Sequence, residues 1–281
     1  MNKLNQDNKV LLGLFGACFF LVFFPVWKQL INLWMSSDDH SYGLFIVPIC
    51  AYIVWQKKEA IGKIAIEPDK SGLIFVVASL GLYLLSRYAD ILTLAPVSMV
   101  VFVFGAVLFI FGRKMVKELI FPLCFLFFIV PVPAQIYSAM TIPLQLFVTK
   151  MSVFMASILD IPVYREGNVI HMPGRTLQVV QACSGLRSLV SLLTLAAVFG
   201  YLTLKSNVLR TVLFVSGLPV AVFVNIFRVL LMIMAFHFMN LDLTEDRIHG
   251  IFGMVIFILA LVFIAIIRKV LAFWDKSATN E

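Results

Sequence analysis

An all-α polytopic membrane protein is the fold class this sequence predicts. Of its 281 residues, 62% are hydrophobic and only 13% charged. The apolar residues come in runs of spanning length, separated by short basic loops. A soluble domain of this length could not hide so much apolar surface, so lipid is the solvent for most of the chain. The formal net charge of +7 does not imply nucleic acid as a partner, because Lys and Arg cluster between apolar segments, where they set membrane topology.

The first run covers 10–27. Lys3 and Lys9 ahead of it imitate a secretory signal, but Phe24-Pro25-Val26-Trp27-Lys28 is no small-residue cleavage site, so a retained helix is expected. Further runs at 41–56, 72–89, 91–112, 118–138, 186–204, 208–238 and 251–268 bring the total to about eight transmembrane helices. Lys57, Lys58, Lys63 and Lys70 share one loop, Arg113, Lys114 and Lys117 another, Lys205 and Arg210 a third, and Arg268, Lys269 and Lys276 follow the last run. With Lys3 and Lys9 these sites hold 14 of the 22 basic residues. All fall on one side if there are eight crossings, and the positive-inside rule makes that side, with both termini, cytoplasmic.

Residues 139–183 then stay outside. Thr141, Gln145, Thr149 and Ser152 recur at helical spacing, with Leu144, Phe147, Met151, Phe154 and Ile158 largely elsewhere. That pattern suits an interfacial helix over 141–160. A ninth span is the alternative, and it would move Cys183 inside. Residues 161–182 turn β-prone, with Glu166-Gly167-Asn168 and Pro173-Gly174-Arg175 as turns. A short β-hairpin-like extracytoplasmic segment therefore precedes the sixth span. With no repeat and no soluble domain, 1–281 reads as a single integral-membrane domain.

Four cysteines form no CxxC pair, and no Cys/His metal-ligand spacing appears; no metal or cofactor is expected. Cys18, Cys50 and Cys124 lie in featureless apolar segments, where a thiol is a small buried apolar group. Cys183 differs. It stands in Gln181-Ala182-Cys183-Ser184-Gly185-Leu186-Arg187-Ser188, where a polar loop meets a helix N-terminus beside a cation, and both features favour thiolate.

Depth arithmetic links it to two distant residues. Arg228 is 18 residues beyond Arg210, roughly 27 Å of helix, and so nears the outer face. His249 precedes the last span and is also outside. Asn225 shares a helix face with Arg228. An intramembrane arginine points into the bundle or a wet cavity; the alternatives for Arg228 are snorkelling to the interface or pairing with Asp242. His171, His40 and His237 are rival bases. Asp38 and Asp39 would raise a nearby thiolate's pKa and are assigned to binding or structure.

At these residues the sequence resembles the exosortase/archaeosortase family, particularly bacterial exosortases. The resemblance runs through Arg165-Glu166-Gly167-Asn168-Val169-Ile170, Pro173-Gly174, Leu177-Gln178-Val179, Ala182-Cys183-Ser184-Gly185-Leu186-Arg187-Ser188, Pro219, Asn225-Ile226-Phe227-Arg228-Val229, and His249-Gly250 with Gly253. His40-Ser41-Tyr42-Gly43-Leu44 with Val47-Pro48 extends it toward the N-terminus. Gln178 stands where the family's pattern carries Glu.

The resemblance implies a multi-pass enzyme of the bacterial inner membrane. Its partners would be the bilayer and membrane-anchored substrate proteins with a C-terminal tripartite (PEP-CTERM-like) sorting signal. Cys183 would be the nucleophile of a thioacyl-enzyme, His249 the general base and acid, and Arg228 the oxyanion stabiliser. Asn225, Arg187, Ser184 and Gln178 would support them; for Arg187, lowering the thiol pKa and holding a substrate carboxylate both stay open. Protease and transpeptidase differ only in whether water or an amine accepts the acyl group. From another class, the alternative is a transporter binding an anionic solute at a seventh helix broken by Pro219. A serine protease using Ser184 lacks the expected GxSxG elbow. A structural scaffold gives no reason for a cysteine, an arginine and a histidine to share one depth.

Overall fold

The computed structural model describes residues 6–37, 40–91, 93–179, 186–241, 243 and 246–277. It has the expected all-α polytopic architecture, with a single three-stranded sheet among the described residues. Among the described residues six helices are long and apolar enough to cross a membrane: Gly13–Ser36, Ser71–Tyr88, Leu94–Phe111, Ala134–Ile158, Asn207–Met239 and Gly250–Asp275. Gly43–Gln56, Ile120–Ile129 and Ser188–Thr203 are shorter apolar helices. The chain forms two compact units, Met1–Pro133 and Ala134–Glu281.

The first unit contains α1 (Gln6–Ser36), α2 (Gly43–Gln56), α3 (Lys58–Lys63), α4 (Ser71–Tyr88), α5 (Leu94–Phe111), α6 (Arg113–Glu118), α7 (Ile120–Phe125) and a 3-10 turn at Leu126–Ile129. One stripe of α1, Phe23, Val26, Leu30 and Trp34, is buried, while Phe20, Leu21 and Phe24 face outward. The Phe23 ring meets Phe102 of α5 edge-on at 5.5 Å and Tyr83 of α4 at 5.2 Å.

Helices α4 and α5 pack backbone to backbone. A Cβ on Gly72 would overlap the Phe109 backbone, and one on Gly105 would come within 2.9 Å of Val76 N. In lipid, where apolar surface gains little by leaving solvent, close approach at small residues supplies the association.

The basic loops of this unit meet acids at one end. Lys57 Nζ bonds Glu118 Oε1 at 2.6 Å, Lys114 Nζ bonds Glu67 Oε1 at 2.6 Å, and Arg113 Nε bonds Asp69 Oδ2 at 2.5 Å. Asp69 Oδ1 also accepts from Ser71 N and Oγ at the start of α4. These Ser71 hydrogen bonds, and then Arg113, hold the Asp69 carboxyl down at about 2.

Helix boundaries depart from the hydropathy pattern between 118 and 158. One run over 118–138 is expected, but the helix stops at Ile129, the chain is non-helical over 130–133, and a new helix starts at Ala134. Pro131 and Pro133 explain the break: each lacks an N–H donor and disfavours helical geometry in the residue before it.

The second unit opens with that helix, α8 (Ala134–Ile158), which takes in most of the segment expected as the interfacial helix. Its polar stripe faces inward. Thr141, Gln145, Thr149 and Ser152 are buried, while Ile142, Leu146, Phe147, Phe154 and Ile158 are exposed. Thr141 and Thr149 donate to the carbonyls of Tyr137 and Gln145 one turn back. Being satisfied internally, they pack as small residues.

Strands β1 (Tyr164–Glu166), β2 (Val169–Met172) and β3 (Arg175–Gln178) follow as an antiparallel meander in the order β1-β2-β3. Its turns fall on Gly167 (φ 61) and Gly174 (φ 78), positions that favour glycine because a Cβ clashes there. Ile170, Leu177 and Val179 bury against Val229, Leu230, Met232 and Ile233 of α10 (Asn207–Met239), which lies between α9 (Leu186–Thr203) and α11 (Asp246–Ser277).

At the opposite end of α10, Asp275 accepts hydrogen bonds from the backbone N–H groups of Lys205 (2.6 Å) and Ser206 (3.1 Å). Arg268 Nε donates to Thr203 Oγ1. The end of α11 thus clamps the basic turn between α9 and α10.

Gly105→Leu is expected to destabilise the first unit by about 1–3 kcal/mol through forced separation of α4 and α5, read as a lower thermal midpoint in detergent. Gly81→Leu, which meets no neighbour within 4 Å, serves as the control and should leave that midpoint within a few degrees.

Candidate active site

Asn225 and Arg228 lie one turn apart on α10, 5% and 6% exposed. They line a narrow recess of about 10 Å³, room for a single water, together with Ser188 and Leu192 of α9, Ala221 of α10 and Phe257 of α11. The apolar walls strengthen every charge interaction inside, since little water is present to screen it. At this burial Arg228 does not snorkel. Its guanidinium lies over Gly253 of α11: a Cβ there would stand 3.6 Å from Arg228 Nη2 and 3.9 Å from Cζ. A larger side chain would occupy the guanidinium's place.

α8 supports this part of α10 from behind, where the buried Ser152 hydroxyl donates to the Ile226 carbonyl at 3.1 Å. A hydrogen bond of this kind contributes about 1 kcal/mol, and it fixes the turn that carries both Asn225 and Arg228.

The other expected site residues are placed only in part. Cys183 and Ser184 lie outside the described residues. Ser188, five positions after Cys183, lines the recess from the first turn of α9. Arg187 belongs to the same turn, and its side chain lies outside the described residues. His249 is in the first turn of α11, one turn before Gly253 and therefore on the same helix face; its side chain also lies outside them. Gln178 ends β3, exposed and paired with Val169. Asp242, the other acid considered for Arg228, lies outside the described residues too.

The three rival histidines are placed elsewhere. His171 stands on the sheet face opposite the buried Ile170. Its ring stacks on Tyr164 at 4.5 Å, with Thr176 Oγ1 3.4 Å from Nδ1 and Glu166 Oε2 3.3 Å from Nε2. His237 is exposed in the last turn of α10, against Phe238. His40 lies in the turn before α2, in the other unit. Pro219 does not break α10, which continues as helix to Met239. The helix break that the transporter alternative invokes is therefore not formed.

Sequence reasoning missed the recess walls, Leu192, Ala221 and Phe257, because apolar residues in apolar runs carry no distinguishing signal. It also missed Ser152, whose signal, a polar stripe at helical spacing, was attributed to water rather than to α10. Among the described residues no three His, Cys, Asp or Glu side chains gather as metal ligands do.

A family model described as transmembrane exosortase matches residues 34–266. No curated protein and no solved structure matches the chain.

Gly253→Leu should displace the Arg228 guanidinium and destabilise the second unit by about 1–3 kcal/mol. Gly253→Ala, whose Cβ would sit in ordinary contact and add helix propensity, should be neutral or stabilising by up to about 1 kcal/mol. Thermal unfolding of the two purified variants in detergent separates these outcomes.

Proposed function

We propose, because this chain belongs to the transmembrane exosortase family, that it cleaves C-terminal tripartite sorting signals of membrane-anchored proteins by thiol chemistry at the outer face of the bacterial inner membrane. Members of this family are multi-pass membrane enzymes that process sorting signals, of the cysteine peptidase or transpeptidase type. The observation that carries the finer reading is the buried Asn225–Arg228 pair, set in a recess that receives both the start of α9, just after Cys183, and the His249-bearing face of α11.

In this reaction the Cys183 thiolate attacks the scissile carbonyl carbon, and its electron pair forms the C–S bond while the C=O π pair moves onto oxygen. The Arg228 guanidinium faces that developing oxyanion; a fixed charge in a water-poor recess is most effective where charge appears only in the transition state. His249 takes the thiol proton and returns it to the departing amine as the C–N bond breaks. Water or an incoming amine then attacks the thioester and restores the thiol. Asn225 orients the substrate or His249. The basic tail of the substrate stays cytoplasmic by the same charge rule that orients this chain, with both termini inside.

Co-expression with a tripartite-signal protein tests the proposal. Mass spectrometry should find a substrate truncated at its C-terminus with the wild-type enzyme and intact substrate with Cys183→Ala; unchanged truncation with Cys183→Ala would refute the nucleophile. Arg228→Lys should lower kcat by about 10²–10³-fold with little change in KM, as loss of an oxyanion donor does.

A further inference from the structure

We infer that the outer edge of β3 is the docking edge for the substrate, which adds to the sheet as a short extended strand and is thereby led to Cys183. This deepens the proposed function and rests on Cys183 being the nucleophile.

The strand's hydrogen-bond register carries the inference. Val179 N donates to Asn168 O at 2.9 Å, so the pair 168–179 is a hydrogen-bonded one. Antiparallel pairing alternates, and 170–177 and 172–175 are the next such pairs along the ladder. Thr176 and Gln178 stand between them, opposite His171 and Val169. Their N–H and C=O groups therefore point away from β2, and they have no backbone partner among the described residues. Both side chains are exposed, while Leu177 and Val179 anchor the other face of the strand in the core beside Val229 and Leu230, next to Arg228.

The two edges of the sheet differ in a way that identifies the receptive one. Natural edge strands are blunted by charge and proline. β1 has both, with Arg165 and Glu166 exposed and Pro162 just before it. β3 presents neutral Thr176 and Gln178 instead, and its one cation, Arg175, is drawn over the Phe236 ring at 5.4 Å.

The occupant follows from position. Val179 is four residues from Cys183, a reach of no more than about 14 Å. A peptide lying along Thr176 and Gln178 is therefore held within a few residues' reach of the nucleophile. Two outward-facing residues suffice to align a short extended segment through main-chain hydrogen bonds, as in β-augmentation. They are far too few for a stable edge-to-edge dimer, which needs roughly 1,000 Å² or more.

Proline removes the outward N–H at these positions without cutting a β2–β3 hydrogen bond, a substitution edge strands tolerate. Gln178→Pro and Thr176→Pro should each process a co-expressed tripartite-signal substrate roughly tenfold more slowly than the alanine variant at the same position, about the effect of one hydrogen bond. Equal rates for the proline and alanine variants would overturn the docking edge.

A second measurement is independent of how the proline variants fold. Gln178→Cys in a Cys183→Ala background is crosslinked to substrates carrying single cysteines scanned along the segment next to the cleaved bond. Crosslinks at every second substrate position support an added strand. Crosslinking without that period, or only between two enzyme copies, overturns it. Should Cys183→Ala still process substrate, the nucleophile assignment falls, while the crosslinking pattern still decides the edge.

Discussion

A guanidinium held inside a lipid-surrounded bundle has neither bulk water nor headgroups to solvate it, and the cost of leaving it so runs to several kcal/mol unless protein groups replace the solvent. Arg228 is 6% exposed, so the second unit is organised around that demand. Gly253 of α11 leaves room for the guanidinium, Asn225 lies one turn away, and Ser188 and Leu192 of α9 line the same recess. A charge so expensive to keep is also strong, because the apolar walls that impose the cost leave its field unscreened. The same burial that burdens folding is what the proposed reaction would use, in which negative charge appears transiently on oxygen.

The helices around it follow packing rules for a solvent as apolar as their own side chains. On α8 the hydroxyls and the amide turn inward and the Ile, Leu and Phe side chains outward, the reverse of a helix on a water-soluble protein. Thr141 and Thr149 bond their own helix, and Ser152 ties α8 to the carbonyl of Ile226. In the first unit, Gly72 and Gly105 bring two backbones into contact. Small and polar groups hold the helices together, and large apolar ones meet the lipid.

Much of this was legible in the residues. Hydropathy alone indicated the polytopic class, and the turns at Gly167 and Gly174 were readable from the Gly-Asn and Pro-Gly pairs, since few other residues tolerate positive φ. The three-residue spacing placed Asn225 and Arg228 on one buried face. Hydropathy failed where it averages over a backbone event: Pro131 and Pro133 end a helix inside an apolar run, and a sliding sum registers only that the run is apolar. Pro219 misled in the opposite sense, because a proline removes one hydrogen bond of α10 while the surrounding turns keep the helix continuous. The polar stripe of α8 was visible as a stripe, but whether it sought water or protein depended on a partner 74 residues away in sequence, the Ile226 carbonyl.

By itself, then, the sequence determined which segments are apolar enough for lipid and how basic charge is distributed between them, and it raised the expectation that one thiol, one imidazole and one guanidinium share a depth. Those are one-dimensional properties, set by composition and by the fixed rise of a helix. Only the tertiary structure decided that Arg228 lies against Gly253 in a recess shared by three helices, that His171 faces away from it, and that β3 leaves two residues' main-chain groups turned outward beside Val179. Lateral proximity depends on which helix faces pack together. That choice is made by close contacts between residues far apart in the chain, whose spacing along it carries no trace of their meeting.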